Sequence, residues 1–176
     1  LGPACWNPYS MHPYEIAGQL AALDLASKGR AYFGLARGTW LGDVGLTQPS
    51  PLGYLAEVVE YVYRLLAADG RGFEGKHFRL APGVVPRFPI ERARPPLLMG
   101  VWGPKASALA GSIADEIKIG GTANPAMIGV MRERLAPGEL KAGRIVGETK
   151  IVLGAVTVVD LDGAAARAKA RREVAL

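Results

Sequence analysis

The chain has 176 residues, 49% hydrophobic and 21% charged, with a formal net charge of +5, an ordinary composition for a globular protein that can bury a real core. A single cysteine, Cys5, excludes an internal disulfide. It also has no histidine near it to make a metal cluster, since His12 and His77 stand far apart. No apolar run approaches the roughly 20 residues that a membrane-spanning helix needs, and the basic residues (Arg87, Arg92, Arg94, Arg132, Arg134, Arg167, Arg171, Arg172) are scattered without interleaved aromatics, so neither a membrane nor a nucleic acid is the expected partner. With one thiol, the expected compartment is the cytoplasm.

In chain order, Leu1-Gly2-Pro3-Ala4-Cys5 reads as the end of a buried strand. Ile16, Leu20 and Leu23 fall at helical spacing within Tyr14 to Ser27, and Gly29 stands just past that helix's end. Arg30 to Ala36 is a short apolar run and predicts a strand. Pro51 to Ala68 carries the clearest helix, with Pro51 in its first turn and an apolar stripe of Leu55, Val58, Val59, Val62, Leu65 and Leu66. Arg71 to Arg94 then interrupts the pattern as an excursion between a helix and the next strand, long enough to lid a site or meet a partner. Beyond it come a doubly buried strand at Leu97 to Val101, a helix at Pro104 to Gly111 and a strand at Glu116 to Ile119. A helix at Pro125 to Leu135, a strand at Lys150 to Val159 and a helix at Gly163 to Ala175 follow. The last stretch, from Asp162 to Leu176, reads as unfinished, so the sequence is expected to be a fragment truncated at both ends. Continuous apolar strands alternating with helices predict an α/β fold with a parallel sheet, either doubly wound or a (β/α)₈ barrel. Periodicity does not choose between them.

Four segments could carry chemistry. In Gly2 to Pro13, three prolines make a kinked path from a strand end into a helix, holding Ala4, Cys5, Asn7 and His12 where a barrel would face its active site; a rigid loop with a satisfied His12 is the plainer alternative, and Cys5 reads as a packed thiol. Gly34 to Asp43 runs from a strand into a glycine-rich loop with Arg37, Thr39 and Asp43, suited to close approach by a ligand; its glycine spacing is not that of a dinucleotide fingerprint, and Trp40 reads as a packing residue. In Met99 to Ala108, a strand turns through Gly103 into a helix opening with Pro104 and Lys105. Free amides at a helix start make a natural phosphate seat, and a cation in the first turn is eased by a bound anion; an ordinary strand-to-helix turn is the competing reading. Gly120 and Gly121 would let backbone approach the same ligand, while Asp115 and Glu116 sit at the wrong end of their strand for catalysis.

Together, in this order and spacing, these segments resemble the luciferase-like monooxygenase superfamily of flavin and deazaflavin enzymes. The resemblance rests on Gly2, Asn7-Pro8-Tyr9 and His12-Pro13; on Leu23-Asp24, Ser27, Gly29-Arg30 and Gly34; and on Gly103-Pro104-Lys105-Ala106 with Leu109-Ala110-Gly111 and Ala114-Asp115. It implies a (β/α)₈ barrel, here as one partial domain over residues 1–176 lacking its first strands and its C-terminal end. The opening is similar to the coenzyme F420-dependent branch, notably methylenetetrahydromethanopterin reductases. That implies a non-prolyl cis peptide between Ala4 and Cys5 behind the deazaflavin ring, and cofactor phosphate on Gly103, Pro104 and Lys105 with Gly120 and Gly121 alongside. His12, Arg37 and Thr39 are the polar groups expected near the ring. The reductases carry a carboxylate where this chain has Thr39, with Asp43 the nearest acid. The implied activity is hydride transfer from reduced F420 to a small organic or pterin substrate. The alternatives are an FMN-dependent monooxygenase of the same fold, or a non-catalytic flavin-binding barrel fragment. Open strand edges favour a homo-oligomer.

Overall fold

The structure, a computed structural model, describes residues 1–174. By their contacts these fall into two compact units: Leu1–Gly100 with Ile113–Asp115, and Val101–Ser112 with the chain from Glu116 onward.

In the first unit, α1 (Pro13–Ser27) starts with a proline at its first turn, capped by His12, whose Nδ1 accepts from the Tyr14 amide at 3.1 Å. It ends where Lys28 turns left-handed (φ 55°) and the Gly29 amide reaches back to the Asp24 carbonyl. β1 (Phe33–Ala36) pairs in parallel with β4 (Leu97–Gly100), in the register Phe33 to Leu97 through Ala36 to Gly100. The opening segment joins the same ladder: the Trp6 amide donates to the Gly34 carbonyl at 2.8 Å and the Ala36 amide to the Trp6 carbonyl at 3.1 Å, a parallel bridge of Trp6 with Leu35. The sequence reads Leu1 to Cys5 as the end of a buried strand, but only this one bridge at Trp6 forms: Leu1 and Ala4 are exposed, and Pro3 has no amide to donate to a ladder. Phe33, Leu35, Leu97 and Met99 are fully buried, as are Ile16 and Leu20 of α1 and Val58 and Val62 of α2 (Pro51–Leu66), two helices that pack on each other.

Asp24 is 1% exposed yet fully engaged. Its carboxylate takes both Nε and Nη2 of Arg92 (3.0 and 2.6 Å) and the Ala31 amide (3.1 Å). That ion pair ties the far end of the 71–94 excursion to the α1–β1 corner. The excursion itself contains a two-stranded antiparallel hairpin, β2 (Phe73–Glu74) with β3 (Arg79–Leu80).

In the second unit, β5 (Glu116–Gly120) pairs in parallel with β6 (Lys150–Gly154), from Glu116–Lys150 to Gly120–Gly154. The sequence predicts β6 out to Val159, but the strand stops at Gly154 because β5 has run out of residues to pair with; Val159 is 91% exposed. The helix predicted to end at Leu135 instead continues through Pro137 as α4 (Ala126–Lys141). Its last turns are held by packing against α3 (Pro104–Ile113). A side chain at Gly138 would run into the Ala108 carbonyl group, and one at Gly111 would meet Leu135 and Glu139 backbone at 3.1 and 3.2 Å. The two glycines thus let the helix backbones touch, and that close contact offsets the proline's missing donor. Beside them Glu139, fully buried, accepts from the Gly147 and Thr149 amides, both at 2.9 Å. Burial pushes its carboxyl up, but these amides and the Arg132 charge outweigh burial and hold it below the usual carboxylate range.

α5 (Gly163–Val174) is capped by Asp162, which accepts from the Ala164 amide at 2.7 Å; the predicted end at Ala175 lies outside the described residues. Among the described residues no helix is long and apolar enough to cross a membrane, and no three His, Cys, Asp or Glu side chains gather as a metal site.

Candidate active site

Parallel strands present their carboxyl ends to ligands, and in the first unit three such ends meet at small residues. A side chain built on Gly100 would touch the Ala36 Cβ at 3.1 Å and the Cys5 Sγ at 3.5 Å. Cys5, Ala36 and Gly100 thus line one face of adjoining strands, and the two smallest leave a flat floor beside the thiol. The peptide bond between Ala4 and Cys5 is cis, as the resemblance implied. Ala4 itself is exposed and Cys5 half-buried.

The kinked segment is clamped onto the neighbouring loop. Gly34 has no side chain because the Pro3 carbonyl group fills that space, and Gly38 (φ 84°) lies against the Asn7 carboxamide, whose Cγ would stand 3.0 Å from a Cβ there. Asn7 also turns its own segment by accepting the Tyr9 amide at 3.0 Å. Asn7 therefore joins the first two predicted segments.

Of the predicted polar groups, Arg37 and Thr39 are exposed at the carboxyl end of β1, in a loop stapled by the Gln48 side-chain amide, which donates to the Arg37 carbonyl at 2.6 Å. Arg37 lies near enough to Tyr9 for its charge to oppose burial and the Tyr54 hydroxyl, which together raise the Tyr9 phenol. His12 does more than face outward: while Nδ1 caps α1, its ring stands edge-on to Tyr61 (5.7 Å) and Phe78 (5.4 Å). Trp40 corrects the packing expectation. It is 80% exposed, because its left-handed backbone (φ 57°) ahead of a 3₁₀ turn at Leu41–Val44 directs it away from the core.

Sequence reasoning missed the residues that bring the excursion to this face. Glu57, in the second turn of α2, accepts three consecutive amides, Lys76 (2.9 Å), His77 (2.7 Å) and Phe78 (3.3 Å). Burial raises its carboxyl, and the three amides with His77 more than reverse that, holding it below its ordinary value. Tyr54, one turn earlier, stacks on Tyr9 (4.3 Å, 11°), packs against His77 (5.2 Å) and reaches the Pro8 carbonyl at 3.3 Å. The partners lie 19 to 21 residues from Glu57, too far for any local pattern to reveal them.

The other predicted ligand residues belong to the second unit. Gly103, Pro104 and Lys105 open α3 and are exposed, as are Gly120 and Gly121 past β5. A side chain at Gly103, Gly120 or Gly121 would meet nothing within 4 Å, and Gly121 has φ 79°. Below this loop the Arg134 guanidinium donates to the Trp102 carbonyl at 2.6 Å. Lys105, Arg134 and the free amides of a helix start put positive potential at one place, the electrostatics an anionic group needs.

Residues 1–175 match the family model for luciferase-like monooxygenases. The chain belongs to the luciferase-like monooxygenase family. It is 29% identical to the 5,10-methylenetetrahydromethanopterin reductase of Methanopyrus kandleri, over 92% of this chain and 51% of that one. The solved structure of the coenzyme F420-dependent tetrahydromethanopterin reductase from the same organism superposes with a TM-score of 0.78 at 28% identity, covering 94% of this chain and 52% of that chain. A monooxygenase from Streptomyces bottropensis shares the fold, with a TM-score of 0.74 at 24% identity, over 97% of this chain and 54% of its own. The chain thus spans about half the length of the curated relatives it matches. Its parallel strands and intervening helices are those of the family's barrel, which decides against the doubly wound alternative.

Proposed function

We propose that this chain is part of an F420-dependent oxidoreductase that passes a hydride to a small organic or pterin substrate, as in the methylenetetrahydromethanopterin reductases. The observation that carries the reading is the flat floor of Cys5, Ala36 and Gly100 at adjoining strand ends, a surface fitted to a planar ring and too shallow for a bulky branched group. When bound, the deazaflavin supplies the hydride; the protein's share is to hold two rings face to face and keep water out. In this reading the segment Ala4, Cys5 and Asn7 backs the ring, and His12, Arg37 and Thr39 set the polarity around it. Gly103, Pro104, Lys105, Gly120 and Gly121 hold the cofactor phosphate, with residues 1–176 acting as one partial barrel. A homo-oligomer in the cytoplasm completes the proposal.

Thr39 stands where the reductases carry a carboxylate, so a proton delivered during the reaction has to come from another group, with Asp43 the nearest acid in sequence. The same fold in a monooxygenase makes FMN the competing cofactor. Titrating the full-length protein with F420 and with FMN, followed by single-turnover oxidation of reduced F420 with 5,10-methylenetetrahydromethanopterin, separates the two. Tight F420 binding with hydride transfer is the expected result. Purification with yellow FMN and no uptake of F420 would overturn it.

A further inference from the structure

The aromatic cluster that joins the kinked segment, α2 and the excursion contains two polar atoms that the protein leaves unsatisfied. The Tyr9 hydroxyl oxygen and His77 Nε2 are both buried without a hydrogen-bond partner. Both side chains lie against the ring of one residue, Tyr54. Neither is loosely placed. Tyr9 is held by the Asn7 turn (3.0 Å) and by the stack on Tyr54, and His77 by the Glu57 clamp on its amide (2.7 Å). Buried polar groups are nearly always paired, so a pair fixed in place and left open needs a reason.

The topology supplies one. The excursion leaves α2 and returns to β4 at the amino ends of the strands, yet its hairpin runs back along α2 to reach Tyr54, in that helix's first turn. It thereby sets His77 beside the segment that follows the Cys5 strand end. We infer that Tyr9 and His77 are substrate-binding residues, receiving the carbonyl and ring N–H groups of an uncharged polar heterocycle, and that the 71–94 excursion exists to deliver His77. A phenol donates to a carbonyl, and an imidazole nitrogen donates or accepts according to where its proton sits, so the two can hold both kinds of group on such a ring. A site built this way rejects an analogue lacking either group strongly, because the buried atoms are then left unpaired. The inference rests on the oxidoreductase reading and adds the substrate's recognition to it.

The test has one arm independent of turnover. Tyr9→Phe removes a hydroxyl whose unpaired burial costs stability, so the ligand-free full-length protein is expected to melt roughly 3 °C higher. A lower melting temperature would mean that an ordered water already satisfies the hydroxyl, and it would overturn the inference. In the second arm, Tyr9→Phe and His77→Phe, which keep their ring contacts, are expected to raise KM for 5,10-methylenetetrahydromethanopterin at least about tenfold. Cofactor Kd stays unchanged, and Lys76→Ala, on an exposed neighbour, shifts neither constant. Unchanged KM in both folded ring variants would also overturn it. Failure of the wild type to bind F420 would instead defeat the oxidoreductase reading, and the melting arm would still decide whether Tyr9 is held open for a ligand.

Discussion

Gly138→Ala tests how α3 and α4 are held together. In an exposed helix this change stabilises by about 1 kcal/mol, since alanine loses less backbone freedom than glycine. Here the new methyl would stand 2.7 Å from the Ala108 carbonyl carbon and 3.0 Å from the Ser112 nitrogen. The Ala108 carbonyl oxygen stands closer still, and carbon contacts settle at about 3.5–4.0 Å, so α4 must retreat by more than about 1 Å. The obstacle is backbone, which cannot rotate aside. A gap of that size forfeits about a quarter to a half of the dispersion energy across the contact, beneath the fully buried Met131 and Leu135. Overpacking of this kind costs about 1–3 kcal/mol before those losses. After the propensity gain is subtracted, a net destabilisation of about 2–3 kcal/mol is expected, a fall in Tm of about 5–10 °C. Gly129→Ala on the same helix is the control, because a side chain there meets nothing within 4 Å; it is expected to stabilise by about 0.5–1 kcal/mol. Urea unfolding followed by circular dichroism reads both. If the two substitutions shift stability in the same direction, the close-contact argument is wrong.

Three further outcomes follow from the ion pairs and clamps. Asp24→Asn leaves Arg92 without its buried partner and is expected to cost about 2–3 kcal/mol in urea unfolding. Hydrogen bonds from Arg92 hold the Asp24 carboxyl below its usual range despite burial, so in the wild type this contribution is complete above the unfolded carboxylate value near about 4. It fades as pH falls through the lower folded value, and the wild type and the Asp24→Asn variant should converge in stability only in strong acid. Glu57→Gln exchanges a carboxylate receiving three amides for a neutral group; the Lys76, His77 and Phe78 amides should then exchange hydrogen about tenfold faster or more, corresponding to the loss of a charge-assisted bond. Equal protection in both forms would show that the clamp does not hold the hairpin. Lys105→Ala is expected to weaken cofactor binding about threefold to fivefold at low salt, and less at high salt, as read by fluorescence titration. An unchanged Kd would remove Lys105 from the phosphate seat.

The alternation of strands and helices was written in the sequence because it depends on local periodicity. Leu55 to Leu66 can bury one stripe only as a helix, and Leu97 to Val101 can be covered on both faces only as an inner strand. Pro51, Pro104 and Gly29 marked helix ends because their backbone preferences act on the spot. Gly34 was legible as a glycine where a strand runs into a loop, though not the Pro3 carbonyl that fills the space beside it. Where prediction failed, the deciding contact was distant. β6 stops at Gly154 because another strand ends there, and α4 runs through Pro137 because Gly111 and Gly138 let α3 lie close.

By itself, then, the sequence determined the alternation of the main strands and helices and the parallel sheet class, since these follow from residues a few positions apart. Only the tertiary structure decided which loops share a wall. Glu57 capturing three amides about twenty positions away, Asn7 filling the space above Gly38, and Tyr9 and His77 meeting one tyrosine ring are contacts between surfaces. Their free energy comes from excluding water between segments that chain sequence does not place side by side, so no local preference announces them.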